Sequence, residues 1–273
     1  MVSGEWWSAS VSNGVPKMRP AKKLFPNHSR LTTHHSPIML EIRDLHSHYG
    51  FSHILQGVNL TLRPGECLGL FGRNGVGKTT TLRAIAGWIS KISGTISYEG
   101  KAIGGMAPNA ICRLGIGFVP EDRRIFPGLT VEENLKLGLM QTPGRARGAK
   151  SAAIERAYAL FPRLRQRRGQ MGTTLSGGEQ QMLAIARVLV GEQKLLLIDE
   201  PTEGLAPQIV DEIFALMVRL KAEGHAILLV EQNVKRALQI TDRICAMERG
   251  RIILEGDGSS QADRDALMKA IAV

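Results

Sequence analysis

The chain has 273 residues, enough for one large domain or two modest ones, each with its own hydrophobic core. Hydrophobic residues make up 43% and charged residues 22% of it, which excludes a collagen-like, coiled-coil or largely disordered protein. Its apolar runs, such as Ala226–Val230, are far shorter than the roughly 20 residues of a membrane span, so we expect no transmembrane helix. The net charge of +10 leaves two partners open, nucleic acid and an anionic membrane surface.

Residues 1–38 differ in character from the rest of the chain. They hold four of the twelve prolines, carry a charge of +4, and show neither helical nor strand periodicity. They also lack the apolar core of a secretion signal. We expect a disordered N-terminal extension, with which a translation start at Met39 is compatible. A basic tail that contacts lipid or RNA is the alternative.

From Met39 onward the sequence predicts alternating strands and helices. Alternation or short apolar runs predict strands at 40–42, 58–62, Cys67–Phe71, Ile116–Val119, 195–198 and 227–230. Helical spacing predicts helices at 78–88, after a capping box at 130–133, and at Pro207–Ala222. This order indicates an α/β fold with a mainly parallel sheet. We expect a single domain at 39–273, into which residues from about 106 to 190 insert as a mainly helical subdomain.

A phosphate-binding loop follows the strand Cys67–Phe71, since residues 72–79 fit the pattern G-x-x-x-x-G-K-[ST]. The glycines let backbone N–H groups point into one concavity at a helix N-terminus, which favours anions. Lys78 would supply a charge to the β- and γ-phosphates, and Thr79 a hydroxyl to Mg²⁺. The candidate nucleotide-binding residues here are Gly72, Arg73, Asn74, Gly75, Val76, Gly77, Lys78, Thr79 and Thr80. A glycine-rich turn without a ligand is the alternative.

Two further motifs come later in the chain. Ser176 and Glu179 form a capping-box pattern, and with Gly177 and Gly178 the start of this helix offers a second anion site, or only a well-capped helix. The strand at 195–198 ends in two acids at the carboxyl edge of the sheet, where α/β ligands bind. Asp199 could reach a metal through water, and Glu200 is placed to orient or deprotonate a water.

In this order, the phosphate loop, LSGGEQQ at 175–181 and LLLIDE at 195–200 closely resemble the ATP-binding subunits of ABC transporters. The resemblance, which runs from 39 to about 256, implies a P-loop NTPase cassette with a mainly parallel core sheet, an N-terminal antiparallel β portion and a helical subdomain. It implies that two subunits sandwich two ATP molecules, with Ser176, Gly177 and Gly178 of one contacting the γ-phosphate held by the other. It places Tyr49 against adenine, where a flat ring can stack; a tyrosine without this role is the alternative.

Three positions depart from the residues usual in that family. Glu121 stands in place of a glutamine, Ala206 in place of an aspartate, and Gln232 in place of a histidine. Glutamine cannot carry a proton as imidazole can, so hydrolysis is slow if it depends on that histidine. Because Glu200 is intact, we expect an active ATPase. The resemblance then implies catalytic roles for Glu200, Gln232 and Glu121, and Mg²⁺ ligands at Thr79, Asp199 and Glu121.

Further segments, PEDRRIFP at 120–127, LTVEENL at 129–135, EGLAP at 203–207 and VEQN at 230–233, look like the branched-chain amino acid importer branch. The urea and short-amide importers are near neighbours. The similarity implies a peripheral subunit on the cytoplasmic face of the membrane. Its partners would be a second ATP-binding subunit, identical or not, two permease subunits and, indirectly, an external solute-binding protein. A soluble ABC ATPase and an ATP-sensing module with weak hydrolysis remain as alternatives from another class.

The distribution of charge argues against a nucleic-acid partner. Residues 144–168 carry +7, from eight basic residues and one glutamate, whereas the chain outside this segment and the N-terminal extension sums to −1. The cluster precedes LSGGEQQ, in a region that lies near the permease in the family. We hypothesise that its charge favours the anionic inner leaflet or acidic permease loops. A solvated helical face is the alternative.

Overall fold

A computed structural model of the protein describes residues 38–141 and 146–272. The predicted extension at 1–38 therefore lies, except for its last residue, outside the described residues. Within them the strands are β1 (Leu40–Tyr49), β2 (Ser52–Leu62), β3 (Cys67–Phe71), β4 (Ile92–Tyr98), β5 (Lys101–Ala102), β6 (Ile116–Val119), β7 (Leu195–Asp199), β8 (Ala226–Val230), β9 (Arg243–Glu248) and β10 (Arg251–Asp257). The helices are α1 (Lys78–Ile85), α2 (Pro108–Arg113), α3 (Val131–Gly138), α4 (Arg147–Leu160), α5 (Pro162–Gln166), α6 (Gly177–Leu189), α7 (Pro207–Ala222), α8 (Val234–Ala237) and α9 (Gln261–Ala272), with 3₁₀ turns at Leu139–Gln141 and Gly172–Thr174.

The described strands form two sheets. A four-stranded antiparallel sheet has the order β2-β1-β4-β5, and a six-stranded sheet has the order β10-β9-β3-β8-β7-β6. In the larger sheet every neighbouring pair is parallel except β10 with β9. The predicted mainly parallel core sheet with an antiparallel β portion is therefore confirmed. The carboxyl ends of β3, β7 and β8 meet at one edge, which brings the segments that follow them together.

The central strands of the core sheet are buried on both faces. All residues of β3, β7 and β8 are buried, as the continuous apolar runs of these strands predict. Successive side chains point to opposite sides, so Leu196 and Ile198 join one hydrophobic cluster while Leu195 and Leu197 join another. The second cluster also contains the inner face of the antiparallel sheet, and the first contains the helices that follow β6.

The region at 106–190 is not helical throughout. It contains α2 to α6, but β6 lies within it and pairs with β7 at the edge of the core sheet. The helices beyond β6 pack on the sheet through Leu135, Phe161 and Leu164, which belong to the same buried cluster as Phe214. None of the helices in the described parts of the chain is long and apolar enough to span a bilayer.

Local signals set most of the element ends. Both predicted capping boxes form, with Thr130 and Ser176 each accepting a hydrogen bond from the backbone N–H three residues on. The helix predicted at 78–88 ends earlier, at Ile85, because Gly87 adopts a left-handed conformation with φ of +75°. A Cβ there would lie 2.5 Å from the carbonyl oxygen of Met106, so the chain needs glycine to turn at this point.

Candidate functional site

The phosphate loop folds around its own lysine. Lys78 Nζ donates hydrogen bonds to the carbonyl oxygens of Gly72, at 2.9 Å, and Arg73, at 3.0 Å. The side chain is buried, and burial lowers the pKa of its ammonium group. Gly75 and Gly77 have positive φ, and a Cβ on Gly72 would lie 2.4 Å from the Met247 carbonyl oxygen. The loop therefore has the glycine-dependent shape that lets backbone N–H groups converge on an anion.

Oxygen ligands for a hard cation meet beside the loop. Thr79 Oγ1 donates to Asp199 Oδ1 at 3.1 Å, which joins the start of α1 to the end of β7. Carboxylate oxygens of Glu121, Glu200 and Glu203 lie within 4.8 Å of one another. Burial, with smaller effects of Glu200 and Glu121, raises the pKa of Asp199 to about 6. Hydroxyl and carboxylate oxygens are the donors that Mg²⁺ prefers, so this set fits that ion.

Glu200 is held in an unusual backbone conformation. Its φ is +44°, in the left-handed region that costs free energy for any residue with a Cβ, and its N–H donates to the Val230 carbonyl oxygen at 2.8 Å. One carboxylate oxygen accepts a hydrogen bond from Gln232 Nε2 at 2.5 Å, and the other lies 4.0 Å from Lys78 Nζ. Burial, aided by Glu203, raises the pKa of Glu200 against the opposing effect of Gln232. The carboxylate is thus oriented on both sides and is a stronger base than an exposed glutamate.

One cavity of about 260 Å³ lies at the carboxyl edge of the core sheet, and most of these groups line it, although Asp199 does not. It is lined by Asn74, Gly75, Gly77, Lys78, Thr79, Thr80, Glu121, Glu200, Glu203 and Gln232. Among the described residues the structure therefore brings together the predicted phosphate loop, the predicted acid and the glutamine that replaces the family's histidine.

Ser176, Gly177, Gly178 and Tyr49 are not part of this cavity. Ser176 Oγ donates to Glu179 Oε2 at 2.9 Å within the capping box, and a Cβ on Gly178 would lie 2.8 Å from Ile209. Tyr49 lies at the end of β1 with about half of its surface exposed. Contact of these residues with a nucleotide in the cavity remains a prediction.

Glu203 and Glu231 were not singled out in the sequence. Glu231 is 4% exposed, and its Oε1 accepts hydrogen bonds of 3.0 Å from Thr202 Oγ1 and from the N–H groups of Gln232 and Asn233. It therefore fixes the turn that carries Gln232. An acid directly after the buried strand β8 follows the same rule that identified Asp199 and Glu200, so the signal was present in the sequence.

An apolar groove of about 420 Å³ lies next to this cavity, between α2, α3, α6 and the segment after β6. The Trp88 and Phe118 rings meet edge-on at 4.9 Å, and the Arg124 guanidinium lies 4.4 Å from the Trp88 ring. Pro120 lines the groove, whereas the next residue, Glu121, lines the nucleotide cavity. One short segment thus borders both sites.

Comparisons with known proteins agree with this geometry. The model of a family described as ABC transporter matches residues 55–203. The high-affinity branched-chain amino acid transport ATP-binding protein BraG of Pseudomonas aeruginosa is 42% identical over 81% of this chain and 94% of that protein. A probable branched-chain amino acid transport ATP-binding protein, LivF of Archaeoglobus fulgidus, is 35% identical over 85% and 97%.

Two other matches show how far the similarity extends. The Nod factor export ATP-binding protein I of Cupriavidus pinatubonensis is 37% identical over 80% of this chain and 66% of that protein. A solved structure described as the ATP binding subunit of an ABC transporter superposes with a TM-score of 0.76 and 28% identity, over 86% of this chain and all of that one. The similarity therefore extends to subunits named for amino acid transport and to one named for export.

Proposed function

The chain belongs to the ABC transporter family, and on that premise we propose that it is the ATP-hydrolysing subunit of an importer for branched-chain amino acids. The observation that carries the ATPase assignment is the Lys78–Glu200–Gln232 arrangement in the cavity. Similarity to BraG and LivF over most of both chains supports the substrate class. Uptake of urea or short amides is the second candidate, because the segments around Glu121 and Gln232 also look like that branch.

Each part of the cavity has a chemical task in this proposal. The backbone N–H groups of the loop and Lys78 hold the phosphates of ATP. Thr79, Asp199 and Glu121 would hold Mg²⁺, which supplies positive charge against the phosphate oxygens. Glu200 accepts a proton from the attacking water, and its raised pKa suits that task near neutral pH. Gln232 orients this carboxylate by its 2.5 Å hydrogen bond and carries no proton itself.

A second ATP-binding subunit completes the site. Ser176, Gly177 and Gly178 lie outside the cavity of their own chain, so they would contact the γ-phosphate bound by a partner, and Tyr49 would stack on adenine. Residues 39–273 then act as one ABC domain, with the helical subdomain at about 106–190 on its surface. The partner subunit is either identical or related.

The complex in this proposal contains two permease subunits. One of them docks on this chain in the apolar groove beside Trp88 and Phe126, whose side chains are about 40–50% exposed. The segment from Pro120 to Glu121 carries the state of the nucleotide site to the permease. The chain then lies peripherally on the cytoplasmic face of the membrane, and an external solute-binding protein delivers substrate to the permease.

The decisive experiment is to co-express the chain with candidate permease subunits, purify the complex and reconstitute it in proteoliposomes. We expect ATP-dependent uptake of leucine, isoleucine or valine, measured beside urea, short amides and the same complex carrying Glu200→Gln. Uptake of urea or amides alone would favour the second candidate. Recovery of no permease, or transport only outward, would overturn the importer assignment.

A further inference from the structure

A cleft of about 430 Å³ in the helical region carries uncompensated positive charge. It lies between α4 and the end of α3 with its 3₁₀ turn, and it shares no lining residue with the nucleotide cavity. Its lining residues are Glu132, Lys136, Leu139, Met140, Arg147, Lys150, Ser151, Ile154, Glu155, Tyr158 and Arg168. The residues of α4 in this set recur every three or four positions, so one face of the helix forms a wall of the cleft.

Four of the eight basic residues at 144–168 form ion pairs with acidic residues in the described part of the chain. Arg163 pairs with Glu212 at 3.1 Å, Arg167 with Glu179 at 2.7 Å, and Arg156 with Glu192. Both acids on the cleft are also paired, since Glu132 binds Lys136 at 2.5 Å and Glu155 binds Arg165 at 3.1 Å.

Three cations of the cleft remain. Arg147, Lys150 and Arg168 form no ion pair and no side-chain hydrogen bond within the described residues. Arg147 and Lys150 lie one turn apart at the start of α4, which has no capping side chain and no acid in its first turn. Basic residues at the positive end of a helix dipole are unfavourable, which makes an anion there more stabilising.

A buried donor in the same cleft lacks an acceptor. Tyr158 is 4% exposed, and its hydroxyl has no hydrogen-bond partner among the described residues. Burial raises the pKa of Tyr158 to about 12, so the group remains a donor at neutral pH. A buried hydroxyl without a partner is uncommon and calls for a ligand atom or an ordered water.

The remaining lining is apolar. Leu139 and Ile154 contribute hydrocarbon surface to the wall of the cleft. Met140, which also lines it, is 69% exposed. A ligand that fits must therefore combine an anionic group, an apolar portion and an acceptor oxygen. A phosphate ester has this combination, with a phosphate charge of −1 to −2 and several acceptor oxygens.

We propose that this cleft binds a phosphate ester with an apolar chain, its phosphate at Arg147, Lys150 and Arg168, its chain along Leu139 and Ile154, and an oxygen accepting from Tyr158. The ligand is either a membrane phospholipid or a soluble ester, which share this chemistry. The site is distinct from the nucleotide cavity and does not depend on the transported substrate.

The test compares two probes on the full chain with saturating MgADP, which fills the phosphate loop. Hexyl phosphate is titrated by calorimetry, and vesicles of phosphatidylcholine with or without phosphatidylglycerol are used in co-sedimentation. The test variant carries both Arg147→Ala and Lys150→Ala. The control variant carries both Lys101→Ala and Lys269→Ala, which remove the same charge from exposed positions outside the cleft. Tyr158→Phe removes only the unpartnered hydroxyl.

We expect saturable 1:1 binding of at least one probe, weakened roughly tenfold or more by the Arg147 and Lys150 variant and unchanged by its control. Tyr158→Phe should weaken the same binding roughly threefold to tenfold, without lowering the melting temperature. Binding only to the vesicles that contain phosphatidylglycerol identifies a lipid ligand. Binding of hexyl phosphate identifies a soluble ester. No saturable binding of either probe, or equal loss in cleft and control variants, would overturn the proposal.

Discussion

The carboxyl edge of the core sheet and the helical region around α4 and α5 both concentrate charge, but in opposite ways. At the sheet edge Asp199, Glu200 and Glu231 are at most 9% exposed, and each is oriented by defined hydrogen bonds. In the helical region Arg163 and Arg165 are about half exposed, and each pairs with one exposed acid. Burial shifts pKa values and fixes geometry, whereas exposure leaves only net charge. Sequence motifs therefore predict the sheet-edge site. The helical region shows in the sequence only as an excess of basic residues.

The largest effect we expect is on the sheet edge. Glu200→Gln should lower ATP turnover by roughly 10²–10⁴-fold, because a carboxamide cannot accept the proton of the attacking water. Nucleotide affinity should be kept. The measurement is steady-state ATPase activity of the assembled complex. Glu203→Gln removes a neighbouring carboxylate of the same cluster and should retain turnover within about tenfold; similar losses in both variants would contradict the role of Glu200.

The second effect concerns pH and stability. The pKa of Asp199 is raised to about 6 in the fold, so the folded state holds this proton more tightly than the unfolded chain does. Ionisation therefore destabilises the fold, and the free energy of unfolding falls as pH rises from about 4 to about 6. In the absence of metal, this fall should be about 2–3 kcal/mol smaller in Asp199→Asn than in the wild type.

Denaturant titrations in chelator at several pH values would measure it. Glu155→Gln in the helical region is the control, because its carboxylate is 54% exposed and pairs only on the surface. This variant removes one exposed carboxylate and leaves the buried acids in place, so it controls for the substitution itself. The burial argument would be contradicted if the free energy of unfolding changed between pH 4 and 6 by the same amount in the wild type and in Asp199→Asn.

A third test uses the two capping boxes, which have the same geometry at different places. Ser176→Ala and Thr130→Ala each remove a capping hydroxyl and should each lower the free energy of unfolding by about 1 kcal/mol. Only Ser176→Ala should also reduce ATPase activity, because Ser176 is proposed to contact the partner's nucleotide. Equal ATPase activity in the two variants would leave Ser176 with a capping role alone.

The smallest expected effect is in the helical region. Arg163→Ala breaks a surface pair with Glu212 and should change the free energy of unfolding by about 0.5 kcal/mol or less. Arg243→Ala, on the sheet side, removes contacts to the buried Glu66 and to the Thr61 carbonyl oxygen, and should cost about 3 kcal/mol. Chemical denaturation of both variants measures the difference, and equal losses would break the contrast between the two regions.

Much of the fold was predictable where one local rule acts alone. β3, β6 and α7 have their predicted bounds. Short apolar runs define the two strands, and Pro207 and Gly224 mark the start and the end of the helix. β1 extends to Tyr49 through register shifts that disrupt its alternation, and so only its first residues were predicted. β4, β5, β9 and β10 were not predicted, since their register is set by neighbouring strands rather than by their own pattern.

The site divides in the same way. The phosphate loop, Asp199 and Glu200 follow from motifs whose spacing is local. The 2.5 Å contact between Gln232 and Glu200, the left-handed φ of Glu200 and the cluster with Glu203 depend on the packing of β7 beside β8. No sequence pattern encodes a distance between two strands 30 residues apart in the chain.

The hydrophobic cluster shared by the helices after β6 and one face of the core sheet has a consequence for folding. Leu135, Phe161 and Leu164 cover the same buried surface as Phe214 and Ile198. Because neither part can expose that surface without the other, the two should melt cooperatively, in a single transition rather than as separate folding units. Any rotation of these helices during transport must then be small enough to keep this shared interior intact.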